Sequence, residues 1–94
     1  MAILEDPELH EIAALDAMVP SFRGCRVLEI GCGDGRLTRR YALTTKSVLA
    51  IDTNEDAIAK LAGTLPNVDA RALSVDELAL SPNSVDIVLF AWSL

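Results

Sequence analysis

Positive charge is scarce in this 94-residue chain, which has eight lysine and arginine residues against fourteen acidic ones and a formal net charge of −6. Proteins that bind nucleic acids normally carry a basic patch, and the largest cluster here is Arg36 with Arg39 and Arg40. Long apolar runs are also missing, since none approaches the roughly 20 residues of a membrane span. The acidic start lacks the positive segment of a signal peptide. We therefore expect neither a nucleic-acid nor a membrane partner.

Cysteine and histidine are too few to indicate a metal site. Cys25 and Cys32 lie at opposite ends of one predicted strand, so at about 3.3 Å per residue they are on the order of 20 Å apart, beyond disulfide reach. Unpaired thiols predict a reduced, cytoplasmic protein. The only histidine, His10, stands in the first predicted helix, and nothing marks it as a base for a cysteine nucleophile.

Short apolar strands alternate with helical patterns along the chain. The predicted strands cover 26–30, 47–51, 68–73 and 85–91, and the predicted helices cover 6–18, 35–43 and about 54–62, with a helical turn near 76–78. This alternation predicts an α/β fold with a doubly wound parallel sheet, in which the four strands have the order 3-2-1-4. Ligands bind such sheets where the order reverses, at the carboxyl ends of strands 1 and 4.

The stretch VLEIGCGDGRLT contains most of the first predicted strand and the loop after it. It holds three of the chain's five glycines. They are Gly31, Gly33 and Gly35, at every second position. Glycines after a parallel strand permit positive φ angles and a close approach of a ligand to the backbone. The start of the next helix offers free N–H groups. The loop therefore predicts a site for a nucleotide-like ligand.

The residues around these glycines argue against a phosphate ligand. The dinucleotide fingerprint G-x-G-x-x-G requires a third glycine where Arg36 stands, and no Gly-Lys-Ser/Thr follows as in a P-loop. Glu29 and Asp34 add negative charge close to the loop. A ligand with a neutral or positive head suits this loop better than a pyrophosphate.

Two segments carry a resemblance to a known family. VLEIGCGDGRLT resembles the first motif, E/D-x-G-x-G-x-G, of class I S-adenosylmethionine-dependent methyltransferases, with Glu29, Gly31, Gly33 and Gly35 at the motif positions. VLAIDTNEDAIAKLA resembles the second strand of that family, whose terminal acid is Asp52 here. The resemblance implies a Rossmann-like fold and S-adenosylmethionine as cofactor.

The resemblance also implies roles for individual residues. Asp52 would hold the two ribose hydroxyls, and Glu29 would orient the cationic amino group of the methionine part together with loop carbonyls. Ser74 stands where relatives have the acid that contacts the adenine amino group, which is a departure from the family pattern. Trp92 is as consistent with a core position as with the site. The implied cofactor-binding residues are Glu29, Gly31, Cys32, Gly33, Gly35, Asp52, Thr53, Ser74, Val75 and Ala91. No catalytic residue is assigned.

The resemblance begins near residue 24 and ends before the later strands of the family. We therefore expect one partial domain over 1–94, with a leading helix and connection in 1–24 and a cofactor-binding core in 25–94. This chain would supply the cofactor-binding half of a methyltransferase that acts on a small molecule, and it would be inactive alone. Its strand 85–91 would be an exposed edge that invites pairing with a second copy.

Two other functions stay open at this point. One is a non-catalytic cofactor-binding module that a partner chain completes. The other is an NAD-type dinucleotide-binding domain, which Arg36 and the acidic loop disfavour.

Overall fold

Five strands and two short helices form the structure over the residues that a computed structural model describes, 2–6, 22–81 and 83–91. The strands are β1 (Ala2–Asp6), β2 (Arg26–Ile30), β3 (Ser47–Asp52), β4 (Val68–Ala72) and β5 (Ile87–Ala91), and the helices are α1 (Thr38–Tyr41) and α2 (Glu55–Leu61). Short 3-10 turns follow at Ala42–Thr44 and Val75–Glu77. Within these ranges no helix has the length and apolar character to cross a bilayer.

The strands form one parallel sheet of order β1-β5-β2-β3-β4. Strands β2 to β5 are the four strands predicted from the sequence, and they lie in the predicted order 3-2-1-4. The prediction of a doubly wound sheet is therefore confirmed. The strand order reverses between β2 and β5, where Ile30 lies opposite Phe90. Their carboxyl ends form the edge at which a ligand is expected.

The expectation of an exposed edge at 85–91 is wrong. Strand β5 pairs with β2 on one side and with β1 on the other, in a register that runs from Ala2 opposite Ile87 to Asp6 opposite Ala91. The backbone of β1 satisfies the N–H and C=O groups that an edge strand would expose. Asp6, predicted as a helix cap, is the last residue of this strand. The rest of the leading helix predicted over 6–18, as well as Trp92, lies outside the described residues.

The helices follow local signals in the sequence. Asn54 caps α2, because its side-chain oxygen accepts a hydrogen bond of 3.1 Å from the Ala57 N–H. The first helix is shorter than the predicted 35–43. It begins at Thr38 because Gly35 has a φ of +91°, which interrupts a right-handed helix.

Both faces of the sheet are apolar, which explains why hydrophobic residues make up 51% of the chain. The face covered by α1 and α2 holds the larger core cluster, with Tyr41 and Leu61 from the helices packed on Val48 and Leu89. On the opposite face the β4–β5 connection covers a smaller cluster. Its members are Leu28, Ile51 and Val88, with the half-buried Leu73, Leu78 and Val85 packed against them.

Candidate functional site

The glycine loop joins β2 to α1 in a conformation that requires glycine. Gly31, Gly33 and Gly35 have φ angles of +81°, +57° and +91°, in the left-handed region. A Cβ atom on Gly31 would lie 2.5 Å from the Ala91 carbonyl oxygen, and one on Gly35 would lie 2.5 Å from a side-chain carbon of Leu61. Gly31 is therefore required by contact with the backbone as well as by φ, whereas the contact at Gly35 is with the end of a flexible side chain.

Asp52 fastens the middle of this loop to the end of β3. One carboxylate oxygen accepts a 2.8 Å hydrogen bond from the Gly33 N–H, and the other accepts a 2.9 Å bond from the Asn54 N–H. The N–H groups of Gly31 and Cys32 also bond to the Ile51 carbonyl, at 2.8 and 3.1 Å. The predicted glycine loop and the predicted acid are thus brought into direct contact.

A cleft of about 640 Å³ opens beside the loop, within the size range of small-molecule sites. Its lining residues are Gly31, Cys32, Gly33, Asp34, Arg36, Leu37, Asp52, Asn54, Asp56, Ala57, Lys60 and Ala91. Five of the ten cofactor-binding residues predicted from the sequence are in this set. Ala91, at the end of β5, reaches the cleft because β5 lies next to β2.

The other five predicted residues do not line the cleft. Gly35 is in the same loop, and Thr53 is exposed directly after Asp52. Ser74 and Val75 belong to the β4–β5 connection, where Ser74 and Glu77 form a capping box and Val75 is 48% exposed. Glu29 is fully buried and does not line the cleft.

Glu29 instead makes hydrogen bonds with α1. Its side chain points to the helix-covered face of the sheet, and one carboxylate oxygen accepts a 2.7 Å bond from the Thr38 hydroxyl and a second bond from the Tyr41 hydroxyl. Burial, followed by the charge of Glu29, raises the pKa of Tyr41 well above its usual value. Tyr41 therefore remains a hydrogen-bond donor at neutral pH.

The part of the cleft that α2 forms was not predicted from the sequence. Asp56, Ala57 and Lys60 line it from one side of that helix. Their spacing of i, i+1 and i+4 is the signal that could have placed them together, since residues four apart share a helix face. Arg39 also contributes from outside the lining, because its guanidinium donates to the carbonyls of Asp34 and Lys60 and so joins the loop to α2.

The electrostatics of the cleft disfavour a thiolate. Burial, and then the charges of Glu29, Asp52 and Asp34, raise the pKa of Cys32 to about 12. This thiol stays protonated at neutral pH and is a poor nucleophile. The same acidic surroundings favour a ligand that carries a positive charge.

Asp86 lies at the opposite edge of the sheet and has a structural role. Its carboxylate accepts hydrogen bonds from the backbone N–H and the guanidinium of Arg26, at 2.8 to 3.2 Å. These bonds lower the pKa of Asp86 to about 2. The pair ties the start of β5 to the start of β2.

The fold and the loop together define a Rossmann-like cofactor-binding domain: a doubly wound parallel sheet, glycines after β2 and an acid at the end of β3. Residues 27–94 match the model of a family described as a methyltransferase domain. The chain belongs to this family of class I methyltransferases, whose cofactor is S-adenosylmethionine.

Individual relatives agree with this membership. Phosphoethanolamine N-methyltransferase of Triticum aestivum is 36% identical over an alignment of 98 positions. The alignment covers 99% of this chain and 19% of that protein. An S-adenosylmethionine-dependent methyltransferase structure from Mesorhizobium loti is 28% identical with a TM-score of 0.70, over 83% of this chain and 37% of that one.

A third relative was solved with bound ligands. Phosphoethanolamine N-methyltransferase 1 of Haemonchus contortus, in complex with phosphoethanolamine and S-adenosylhomocysteine, is 27% identical with a TM-score of 0.70, over 85% of this chain and 19% of that one. This chain thus spans about a fifth to two fifths of the length of the three relatives.

Proposed function

We propose that this chain binds S-adenosylmethionine in the cleft beside the glycine loop and supplies the cofactor-binding half of a methyltransferase. The observation that carries the proposal is the junction of the loop with Asp52, where the Gly33 N–H and the Asp52 carboxylate meet at 2.8 Å. This junction supports the proposal because the glycine backbone and the acid of the two family motifs both line the cleft.

Asp52 retains the capacity to bind two hydroxyl groups. A carboxylate offers about four acceptor positions, and the two backbone N–H groups use one on each oxygen. The side chain is half-buried and lines the cleft. Each oxygen can therefore accept a bond from one of the adjacent ribose hydroxyls, with roughly 1.5–3 kcal/mol for each charge-assisted bond.

The remaining residues would surround the other parts of the cofactor. Gly31 and Ala91, which pack against each other, would border the methionine part at the reversal point of the sheet. Thr53, Ser74 and Val75 would lie beside the adenine. Bound S-adenosylmethionine supplies an activated methyl group on a sulfonium, so the protein's contribution is to hold it in place and exclude water.

We further propose a small-molecule acceptor and a reducing, cytoplasmic environment. The formal charge of −6 disfavours a polyanionic acceptor, and the wheat relative is named for methylation of phosphoethanolamine. Cys32 is a free thiol, which suits a reducing compartment.

Calorimetric titration of the 94-residue chain with S-adenosylhomocysteine tests the cofactor proposal, with NAD as the control ligand. We expect saturable binding of S-adenosylhomocysteine and none of NAD. Asp52→Ala should abolish binding, whereas Asp69→Ala should not, because Asp69 forms an exposed ion pair with Arg71 on the edge strand β4. A folded chain that binds NAD alone, or neither ligand, would contradict the proposal.

A further inference from the structure

We infer that Glu29 is a positioning residue, which holds the glycine loop in place through Thr38 and Tyr41 and does not touch the cofactor. The inference deepens the proposed function and rests on it. It assigns to Glu29, Thr38 and Tyr41 one common task, the fixing of α1 on the sheet.

The three side chains form a buried hydrogen-bonded group. All three are fully inaccessible to solvent. Thr38 and Tyr41 stand three positions apart, so their hydroxyls project from one side of α1 and reach the same carboxylate oxygen of Glu29 on β2. Such donors stabilise a buried carboxylate, and here both donate to Oε1 of Glu29. The group is therefore a cross-link between β2 and α1.

The helix needs this cross-link because it is very short. Its four α-helical residues provide too few internal hydrogen bonds to be stable alone, so tertiary contacts must hold it. The loop continues directly into it: the Arg39 N–H donates to the Gly35 carbonyl at 2.9 Å, and the Arg39 guanidinium donates to the Asp34 carbonyl. Whatever fixes α1 therefore also fixes the carboxyl-terminal side of the loop.

The loop is thus held from two sides. Ile51 and Asp52 on β3 bind its first half, through the N–H groups of residues 31 to 33. The Glu29 group secures its second half by way of α1. A displacement of α1 would shift the loop backbone and separate the Gly33 N–H from Asp52, at the place where we expect the ribose to bind.

Amide hydrogen exchange of the ligand-free 94-residue chain tests the inference without any need for cofactor binding. The variants are Thr38→Val and Tyr41→Phe, which each remove one hydroxyl. The Tyr41→Phe ring retains its edge-on contact with Phe22, where the ring centroids are 5.1 Å apart. Thr45→Val is the matched control, because this buried hydroxyl donates to the Ala42 carbonyl and accepts from the Asn67 side-chain amide at 3.3 Å, and neither bond involves Glu29.

We expect both hydroxyl variants to lower the protection of the Gly33 and Arg39 amides by about tenfold, which corresponds to about 1.4 kcal/mol. Protection of sheet amides such as Leu89 should fall much less. The control should leave the ratio of loop to sheet protection unchanged. Wild-type loop protection in both hydroxyl variants, or an equal loss at loop and sheet amides, would overturn the inference.

Titration with S-adenosylhomocysteine then separates positioning from direct contact. Glu29→Gln retains an oxygen that accepts from both hydroxyls but removes the charge. We therefore expect its affinity for S-adenosylhomocysteine to be within about threefold of wild type. Thr38→Val and Tyr41→Phe should bind this ligand about tenfold more weakly. Loss of binding in Glu29→Gln together with wild-type binding in the hydroxyl variants would overturn the inference and indicate direct ionic contact. If the wild type does not bind, the proposed function fails, and hydrogen exchange alone decides the role of Glu29.

Discussion

Substitution of Gly31 by alanine gives a quantitative test of the loop geometry. Gly31 combines a φ of +81° with a backbone oxygen, that of Ala91, 2.5 Å from the position of the new Cβ. A carbonyl in the sheet cannot move aside as the end of a flexible side chain can. The alanine variant must therefore either separate β2 from the end of β5 or change the φ of residue 31.

The conformational cost and the packing cost together amount to a large part of the free energy of unfolding. A left-handed conformation costs an alanine about 1–2 kcal/mol, and overpacking of a close contact typically costs about 1–3 kcal/mol. We expect Gly31→Ala to lower the free energy of unfolding by about 2–5 kcal/mol, out of the roughly 5–15 kcal/mol of a domain. At about 4–8 °C per kcal/mol, Tm should fall by about 10 °C or more.

Gly33→Ala is the matched control in the same loop. Gly33 also has a left-handed φ, of +57°, but among the residues that the structure describes no atom outside its chain neighbours lies within 4 Å of a Cβ placed there. Only the conformational cost of about 1–2 kcal/mol applies. Thermal and urea unfolding of the two variants beside wild type give the comparison. Equal destabilisation by both substitutions would refute the argument that the contact with Ala91 constrains residue 31.

Two further predictions concern titratable groups. The hydrogen bonds from Arg26 lower the pKa of Asp86 from 3.8 to about 2, so the charged form stabilises the fold above pH 3.8 and this contribution is lost as the pH falls towards 2. Asp86→Asn should flatten that part of the acid-unfolding curve measured by circular dichroism, and an unchanged curve would contradict the assigned cause. Because the pKa of Cys32 is raised from 9.0 to about 12, its thiolate fraction at pH 8 should be about a thousandfold below that of the unfolded chain. Alkylation by iodoacetamide, followed by mass spectrometry, should therefore modify Cys32 in urea and spare it in the folded protein, and equal rates would exclude the raised pKa.

Strands β2 to β5 were predictable because each of these four carries its own signal in the sequence. The segment from Val85 to Ala91 is apolar enough to indicate a strand buried on both faces. The segment 47–51 is apolar in the same way. The glycine loop was also visible, since alternate glycines after a strand have few structural explanations. Asp52 could be assigned because VLAIDTNEDAIAKLA resembles the second strand of the family, whose terminal acid it is.

The parts that could not be predicted depend on residues distant in sequence. The segment Ala2–Asp6 resembled the approach to a helix cap, and only its pairing with β5 makes it a strand. Alternation along β2 puts Glu29 on the same face as Val27, but the sequence does not show that Tyr41 meets it there. The hydrogen-bond partners of a buried acidic side chain depend on the element that packs over it.

The pairing of β1 with β5 has a consequence for the order of folding. Strand β3 pairs with β2 and with β4, its neighbours along the chain, and β5 pairs with the more distant β2, whereas Ala2 must find Ile87, at the greatest separation of all. Closure of that long loop costs more entropy than the nearer pairings, and β5 must already be in place to receive the strand. We therefore expect β1 to dock last, as the final event that completes the sheet, and to be the first strand released when the protein unfolds.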